Sequence, residues 1–387
     1  MIFIGFGFLM SFIKTLSWTT LAFNWIVSIW ALQWAILFIG FFHQAFSGKA
    51  FHKIEISLES LIMGDFGAGA AMITFGVILG KCSLQQLLCL VWLEMIFYGL
   101  NEAICVQVFK VTDAGGSILV HTFGAYFGIG ASFFFQPGRA KHSKNLVSSY
   151  QSEMIAVIGS IFLWMYWPSF NGALASGVQQ QRIIVNTVLA IGSSCFGGAI
   201  TARFLFGKLE MEILLNASLA GGVAIGSTCD LITEPWAALT IGLAGGILSS
   251  VGFQKIGPYL ADKFGLQDTC GVNSLHGMPG IFAALTSAIY IPTMGRHNFP
   301  SDYFAITAEG GSYGKQAGAQ IISLVVTLVI SLASGALSGY IASREIFNPV
   351  YALFRDDDHF YDMIHKYPKS YLEGTDEHYH EIKSSLT

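Results

Sequence analysis

The sequence predicts an all-α, polytopic membrane protein of about eleven transmembrane helices, an inverted repeat of five and five plus one further helix. Three observations predict it. First, 53% of the 387 residues are hydrophobic and only 11% are charged, with a mean hydropathy of +0.58. A soluble domain carries about 25% charge, and a surface this poor in charge does not stay in water. Second, the apolar residues gather in long runs, most near the roughly 20 residues a helix needs to cross the hydrocarbon core. Third, one short pattern of ionisable residues returns at a fixed offset. The net charge of −4 excludes a nucleic-acid binder, which needs a basic excess.

Eleven apolar segments follow in order: 1–13, 18–42, 56–79, 84–109, 113–135, 154–172, 182–206, 211–229, 235–252, 272–293 and 317–343. The first is the exception, since Met1 to Ile13 is too short for an upright span. No basic stretch precedes it, so it does not read as a signal peptide. Its helix is expected to be shallow and tilted, or to start within a span that is longer in relatives. The tenth segment opens with the second copy of the repeated pattern, and the eleventh stands outside the repeat. Together these segments make one transmembrane domain, 1–343. Residues 344–387 differ in kind, with the acidic run Asp356, Asp357, Asp358, four histidines and no apolar period. They read as a cytoplasmic tail, ordered in part at most. His378 and His380 in that tail read as solvated residues rather than as a metal tract.

Orientation follows from Lys and Arg in alternate loops. One set holds Lys14, Lys81, Arg139, Lys141, Lys144, Arg203, Lys208, Lys255 and Lys263; the other holds Lys49, Lys53, Lys110, Arg182, Arg296 and Lys315. Nine against six favours an outside N-terminus and a cytoplasmic C-terminus. The sequon Asn216-Ala217-Ser218 then begins a span at a cytoplasmic edge, where glycosylation does not reach. The six cysteines form no CxxC pair, and four lie inside apolar runs, so they read as free buried thiols.

The repeated pattern carries the chemistry. Asp113-Ala-Gly-Gly-Ser-Ile-Leu-Val-His121 and Asp268-Thr-Cys-Gly-Val-Asn-Ser-Leu-His276 both have Gly three residues and His eight residues after Asp. The two aspartates lie 155 residues apart, as do the two histidines. Each stretch opens the fifth span of a five-span set. Five is odd, so the second set crosses the membrane upside down, the plan that sets a site near the midplane between halves. An Asp at a helix start caps free amides. Eight residues on, at about 1.5 Å each, the His lies about 12 Å deeper. His121 and His276 are thus expected to meet near the bilayer centre. Two histidines without a carboxylate or thiolate at ligand spacing make a poor metal site, so no metal and no cofactor are expected. Ionisable residues at such depth mark function.

Four longer motifs add a family likeness. Gly115-Gly-Ser-Ile-Leu-Val-His-Thr-Phe-Gly-Ala-Tyr-Phe-Gly128, Phe162-Leu-Trp-Met-Tyr-Trp-Pro-Ser-Phe-Asn171, Ala217-Ser-Leu-Ala-Gly-Gly-Val-Ala224 and Asp268-Thr-Cys-Gly-Val-Asn-Ser-Leu-His-Gly-Met-Pro-Gly280 resemble the Rhesus (Rh) glycoproteins of the Amt/Mep/Rh ammonium transporter superfamily. The motifs spread over most of residues 1–343. The resemblance implies a plasma-membrane trimer, a homotrimer or an Rh hetero-oligomer, with one pore per subunit. It implies that Phe66 and Phe170, the latter followed by Asn171, close the outer mouth. It matches His121 and His276 to the twin histidines, Asp113 and Asp268 to the paired aspartates, and Glu102 to an acid of the outer vestibule. The assigned orientation agrees, since both phenylalanines fall near the outer face. Glu94, at mid-depth on the same span as Glu102, is expected to bond to a neighbouring helix. Two departures stand out: the extra N-terminal span and glycosylated loop of Rh glycoproteins do not precede Met1, and Gly-Asp-Phe stands where relatives often have Asn-Ala-Asp-Phe.

The implied function is ammonia/ammonium permeation: ammonium is recruited outside and deprotonated, and neutral ammonia is conducted past the twin histidines. The alternatives are a carbon dioxide channel and a non-conducting structural Rh subunit that anchors membrane partners. Retention of both histidines favours conduction. No nucleophile–base pair or phosphate loop lies outside the apolar segments, so an enzyme is not expected.

Overall fold

The computed structural model describes residues 1–136, 146–293, 312–351, 353, 355, 356 and 360. His378 and His380 lie outside them. Among the described residues eleven helical spans cross or enter one bundle. They are α1 (Ile2–Met10), α2 (Ser17–Phe46), α3 (Leu58–Ile78) and α4 (Leu84–Val108). Next comes α5, a π-helical turn Ser117–Thr122 that continues as Phe123–Ser132. Then follow α6 (Tyr150–Asn171), α7 (Gly177–Phe206), α8 (Met211–Ile225) and α9 (Pro235–Phe264). The last two are α10, a π-helical turn Asn273–Gly277 leading into Met278–Tyr290, and α11 (Tyr313–Ala342). Eight of these are long and apolar enough to span a membrane, and no strand is formed among the described residues.

Several starts carry the expected chemistry. Ser57, Ser83 and Ser149 each form a reciprocal capping box with the residue three further on, satisfying amides that the helix leaves open. The helices then pack through small residues, as expected where lipid supplies no hydrophobic drive between them. The α7–α9 contact is an example. A methyl group on Gly246 would lie 2.0 Å from the Ser194 carbonyl oxygen, so the two backbones touch only because the side chain is absent. Outward faces carry exposed apolar residues such as Val185, Phe196, Ile289 and Val329, which suits a lipid boundary.

The helix ends differ from the apolar runs. α7 starts five residues before its apolar run at 182, and α11 four residues before its run at 317. The apolar run of α9 stops near 252, yet helix continues through a π-helical turn, Gly252–Ile256, into the polar segment Gly257–Phe264. Hydropathy marks what sits in lipid; helix geometry runs on into the polar boundary. Past the bundle, Leu353 and Asp356 are buried against its end. Asp356 accepts from the backbone amides of Trp18 at 3.0 Å and Thr19 at 2.7 Å. This carboxylate caps the start of α2, where Leu16 offers no side-chain cap.

Candidate functional site

The site grows from the two π-helical turns. Asp113 Oδ2 accepts from the amides of Ile118 and Leu119, both at 2.9 Å, and its Oδ1 accepts from the Ser227 hydroxyl at 2.5 Å. Asp268 does the same for its own turn, accepting from Val272 at 2.9 Å and Asn273 at 2.7 Å. Each Asp is followed three residues on by a glycine in the left-handed region, Gly116 at φ 66° and Gly271 at φ 65°. Glycine reaches that conformation without steric cost, and the reversal lets the carboxylate fold back onto the turn it opens. The π-helical turns then aim His121 and His276 inward; wide turns of this kind recur at functional sites.

The histidines meet. Their Nδ1 atoms are 3.1 Å apart, and the rings lie almost parallel at 13° with centroids 5.1 Å apart. Both are buried. Trp167 stacks on both, at 5.5 Å from His121 and 6.4 Å from His276. Phe6 stacks on His276 from α1, at 5.9 Å. Phe66 and Phe170 form an edge-to-face pair at 4.9 Å, within the usual range for aromatic contacts. Phe170 lies 5.8 Å from His121, so the aromatic pair sits directly against the histidine pair.

A cavity of about 640 Å³ opens on the far side of Phe66. Glu102, Asp113, Asn171, Glu59, Asp230 and His43 are among its walls. Glu102 touches His43 through Oε2 and Nε2. Asn171 is buried and holds its neighbours together, donating to Thr187 at 3.0 Å and to the Gly222 carbonyl at 3.3 Å. Glu94 does not reach this cavity; it accepts from Thr74 of α3 at 2.6 Å, a bond between helices. Asp230, outside the spans, has its carboxyl pushed up to about 6 by burial, against the pull of Gln179.

A second cavity of about 270 Å³ lies at the other end, lined by Lys81, Asp268, Asn273, Glu212 and Phe253 among others. Lys81 is fully enclosed and donates to the Gln267 carbonyl. Burial lowers its ammonium to about 8, while the Asp268 carboxylate opposes that shift.

Of the residues expected from the sequence, Glu102, Asp113, Asn171 and Phe66 line the first cavity, Phe170 packs between Phe66 and His121, the two histidines meet, and Asp268 lines the second cavity. Sequence reasoning passed over three residues. Trp167 sits in a quoted motif but shares no repeat with the histidines. In the fold it depends on Gly222, because a methyl there would lie 2.4 Å from the indole Nε1. Lys81 counted only as a loop charge, and His43 carried no motif.

The profile of the Ammonium Transporter Family matches residues 1–347 of this sequence. The chain belongs to the ammonium transporter family. The human protein named "Ammonium transporter Rh type B" is 38% identical over 374 residues, which cover 94% of this chain and 80% of that one. The protein of the same name from Takifugu rubripes is 38% identical over 357 residues, covering 90% of this chain and 77% of the relative. Among solved structures, Rh50 of Nitrosomonas europaea superposes with a TM-score of 0.80 at 29% identity, over all of this chain and 94% of that one. Mep2 of Saccharomyces cerevisiae shares the fold at a TM-score of 0.70 and 18% identity, over 93% of this chain and 90% of that one. This member of the ammonium transporter family is therefore a multi-pass membrane protein whose bundle is that of the Amt/Mep/Rh proteins.

Proposed function

We propose that this protein conducts ammonia across the plasma membrane, with the Phe66 end outside and the chain end in the cytoplasm. The observation that carries the reading is the buried His121–His276 contact between two cavities that open at opposite ends. A cation at the bilayer centre costs from a few to more than ten kcal/mol. Neutral ammonia does not pay that cost. The carboxylates of the first cavity attract ammonium, with Glu102 foremost. The molecule that passes the Phe66–Phe170 pair leaves its proton behind. Beyond the phenylalanines the space beside His276 is lined mainly by apolar side chains such as Phe6, Met72 and Leu275, with Asn216 among them, and the imidazoles can both donate to and accept from a neutral amine. Asp113 and Asp268 hold the turns that aim the rings, since backbone amides occupy Oδ2 of Asp113 and both oxygens of Asp268, and the Ser227 hydroxyl occupies Oδ1 of Asp113. Likeness to Rh proteins supports a trimer with one such path in each subunit.

The test is stopped-flow ammonium exposure of proteoliposomes, with internal pH and membrane current recorded together. The expected outcome is internal alkalinisation without matching current, because entering ammonia takes up a proton inside. The His121→Leu and His276→Leu variants should each lower the flux. An unpaired polar group in an apolar site costs roughly 1–3 kcal/mol, about five- to a hundredfold in occupancy. Either single variant should show much of the double-variant loss, because the pair acts as a unit. A steady inward ammonium current would overturn the neutral-gas mechanism, and an undiminished flux in the double variant would remove the histidines from it.

A further inference from the structure

We propose that His43 is the proton acceptor for ammonium at the outer mouth, a step that rests on the conduction reading above. His43 lies in the last turn of α2 and lines the first cavity together with Glu102. Its side chain is 28% exposed, while the Glu102 side chain is only 9% exposed, so the ring edge meets solvent and the carboxylate stands behind it. Nε2 contacts Glu102 Oε2, and among the described residues Nδ1 has no hydrogen-bond partner. With Nε2–H donated to the carboxylate, Nδ1 presents a lone pair, the tautomer that a general base requires.

The step balances without another reactant. An N–H bond of ammonium breaks, its electron pair stays on nitrogen, and the proton bonds to His43 Nδ1. Ammonia leaves toward Phe66, and the imidazolium is held against the Glu102 carboxylate. The same ring edge then returns the proton to the water of the cavity. The proton goes back to the side it came from, so the cycle moves no net charge.

The surroundings favour a transient cation. Glu59 of α3 and Glu55 of the 47–57 segment stand beside His43 at the entrance. Asp113 and Asp230 lie across the same cavity, and among the described residues Lys110 is the one Lys or Arg in its walls. The C-terminal end of α2 adds the negative pole of its backbone dipoles. A carboxylate alone would hold ammonium as an ion pair. An imidazole, which titrates near neutrality, can take the proton and release it within one cycle.

The experiment compares parent and His43→Gln proteoliposomes over a series of outer pH values, with flux read from internal pH and corrected for empty vesicles. Gln keeps a donor for Glu102 and removes the titrating nitrogen. At acidic and neutral pH the variant should lose flux, by up to about a hundredfold, the lower figure typical of a positioned base. The loss should shrink as the outer solution becomes alkaline and supplies ammonia already neutral. Imidazole added outside should restore part of the lost flux in a smaller variant, His43→Gly. A loss of equal size at every pH, without rescue by imidazole, would assign His43 a structural role and overturn the proposal. A variant flux equal to the parent at acidic pH would overturn it as well. No flux in the parent above empty vesicles would overturn the conduction reading itself, which separates the two failures.

Discussion

At the residue scale, the sequence disclosed pairs and hid partners. Asp113, His121, Asp268 and His276 were legible because an internal repeat placed each chemistry twice. Trp167 and Lys81 were not, because their roles depend on what packs against them. Lys81 makes a testable case. Its ordinary value of 10.5 is lowered to about 8, chiefly by burial. Between those values the unfolded chain binds a proton that the folded chain does not, so stability rises with pH through that window. Below about pH 8 both states are protonated and the full cost of burying the charge is present. The melting midpoint of the detergent-purified parent should therefore gain, from pH 8 to about 10.5, an increment that Lys81→Met lacks. Parallel pH curves for the two proteins would remove Lys81 as its source.

At the element scale, apolar runs located all eleven helices but not their ends, and they were silent about the π-helical turns. A hydropathy run does not distinguish hydrogen bonds four residues back from bonds five back. What was legible was the glycine three residues after each Asp, and its reason is now geometric. At Gly271 the positive φ combines with a crowded site, since a methyl would lie 2.0 Å from the Phe253 ring. A non-glycine residue in the left-handed region costs roughly 1–2 kcal/mol before any clash. Gly271→Ala should lower the melting midpoint and displace the turn that holds His276, reducing ammonia flux. Gly265→Ala is the control, because φ there is 67° and nothing lies within 4 Å of the added methyl. It should carry the backbone cost and spare the flux. Equal losses of flux in both would mean that the Phe253 contact is irrelevant to the histidine.

At the scale of the whole molecule, inverted symmetry was readable from one 155-residue offset, and the joining of α2 to the segment after α11 was not. A cap is normally sought in the residue just before a helix. The start of α2 takes its cap from Asp356, 337 residues beyond Thr19 in sequence. No local rule points across that distance. The amide of Asp356 also donates to the Thr15 carbonyl at 2.9 Å, so the contact runs both ways. Leu353 packs nearby in a niche shared with Leu16, where Gly80 leaves room for both side chains. Leu353 also lines the cavity that holds Lys81. The segment after α11 therefore seals the wall of the second cavity while it fixes the first long helix. A capping carboxylate replaced by Ala costs about 0.5–2 kcal/mol. Asp356→Ala should lower the melting midpoint accordingly, and Asp356→Asn, which keeps one accepting oxygen, should lose less. Leu353→Ala should destabilise as well, since truncating a buried Leu costs about 2–5 kcal/mol. Because both residues hold the same segment, the double variant should cost less than the sum of the single changes. Strict additivity would mean that the acidic cap and the apolar plug hold the chain independently.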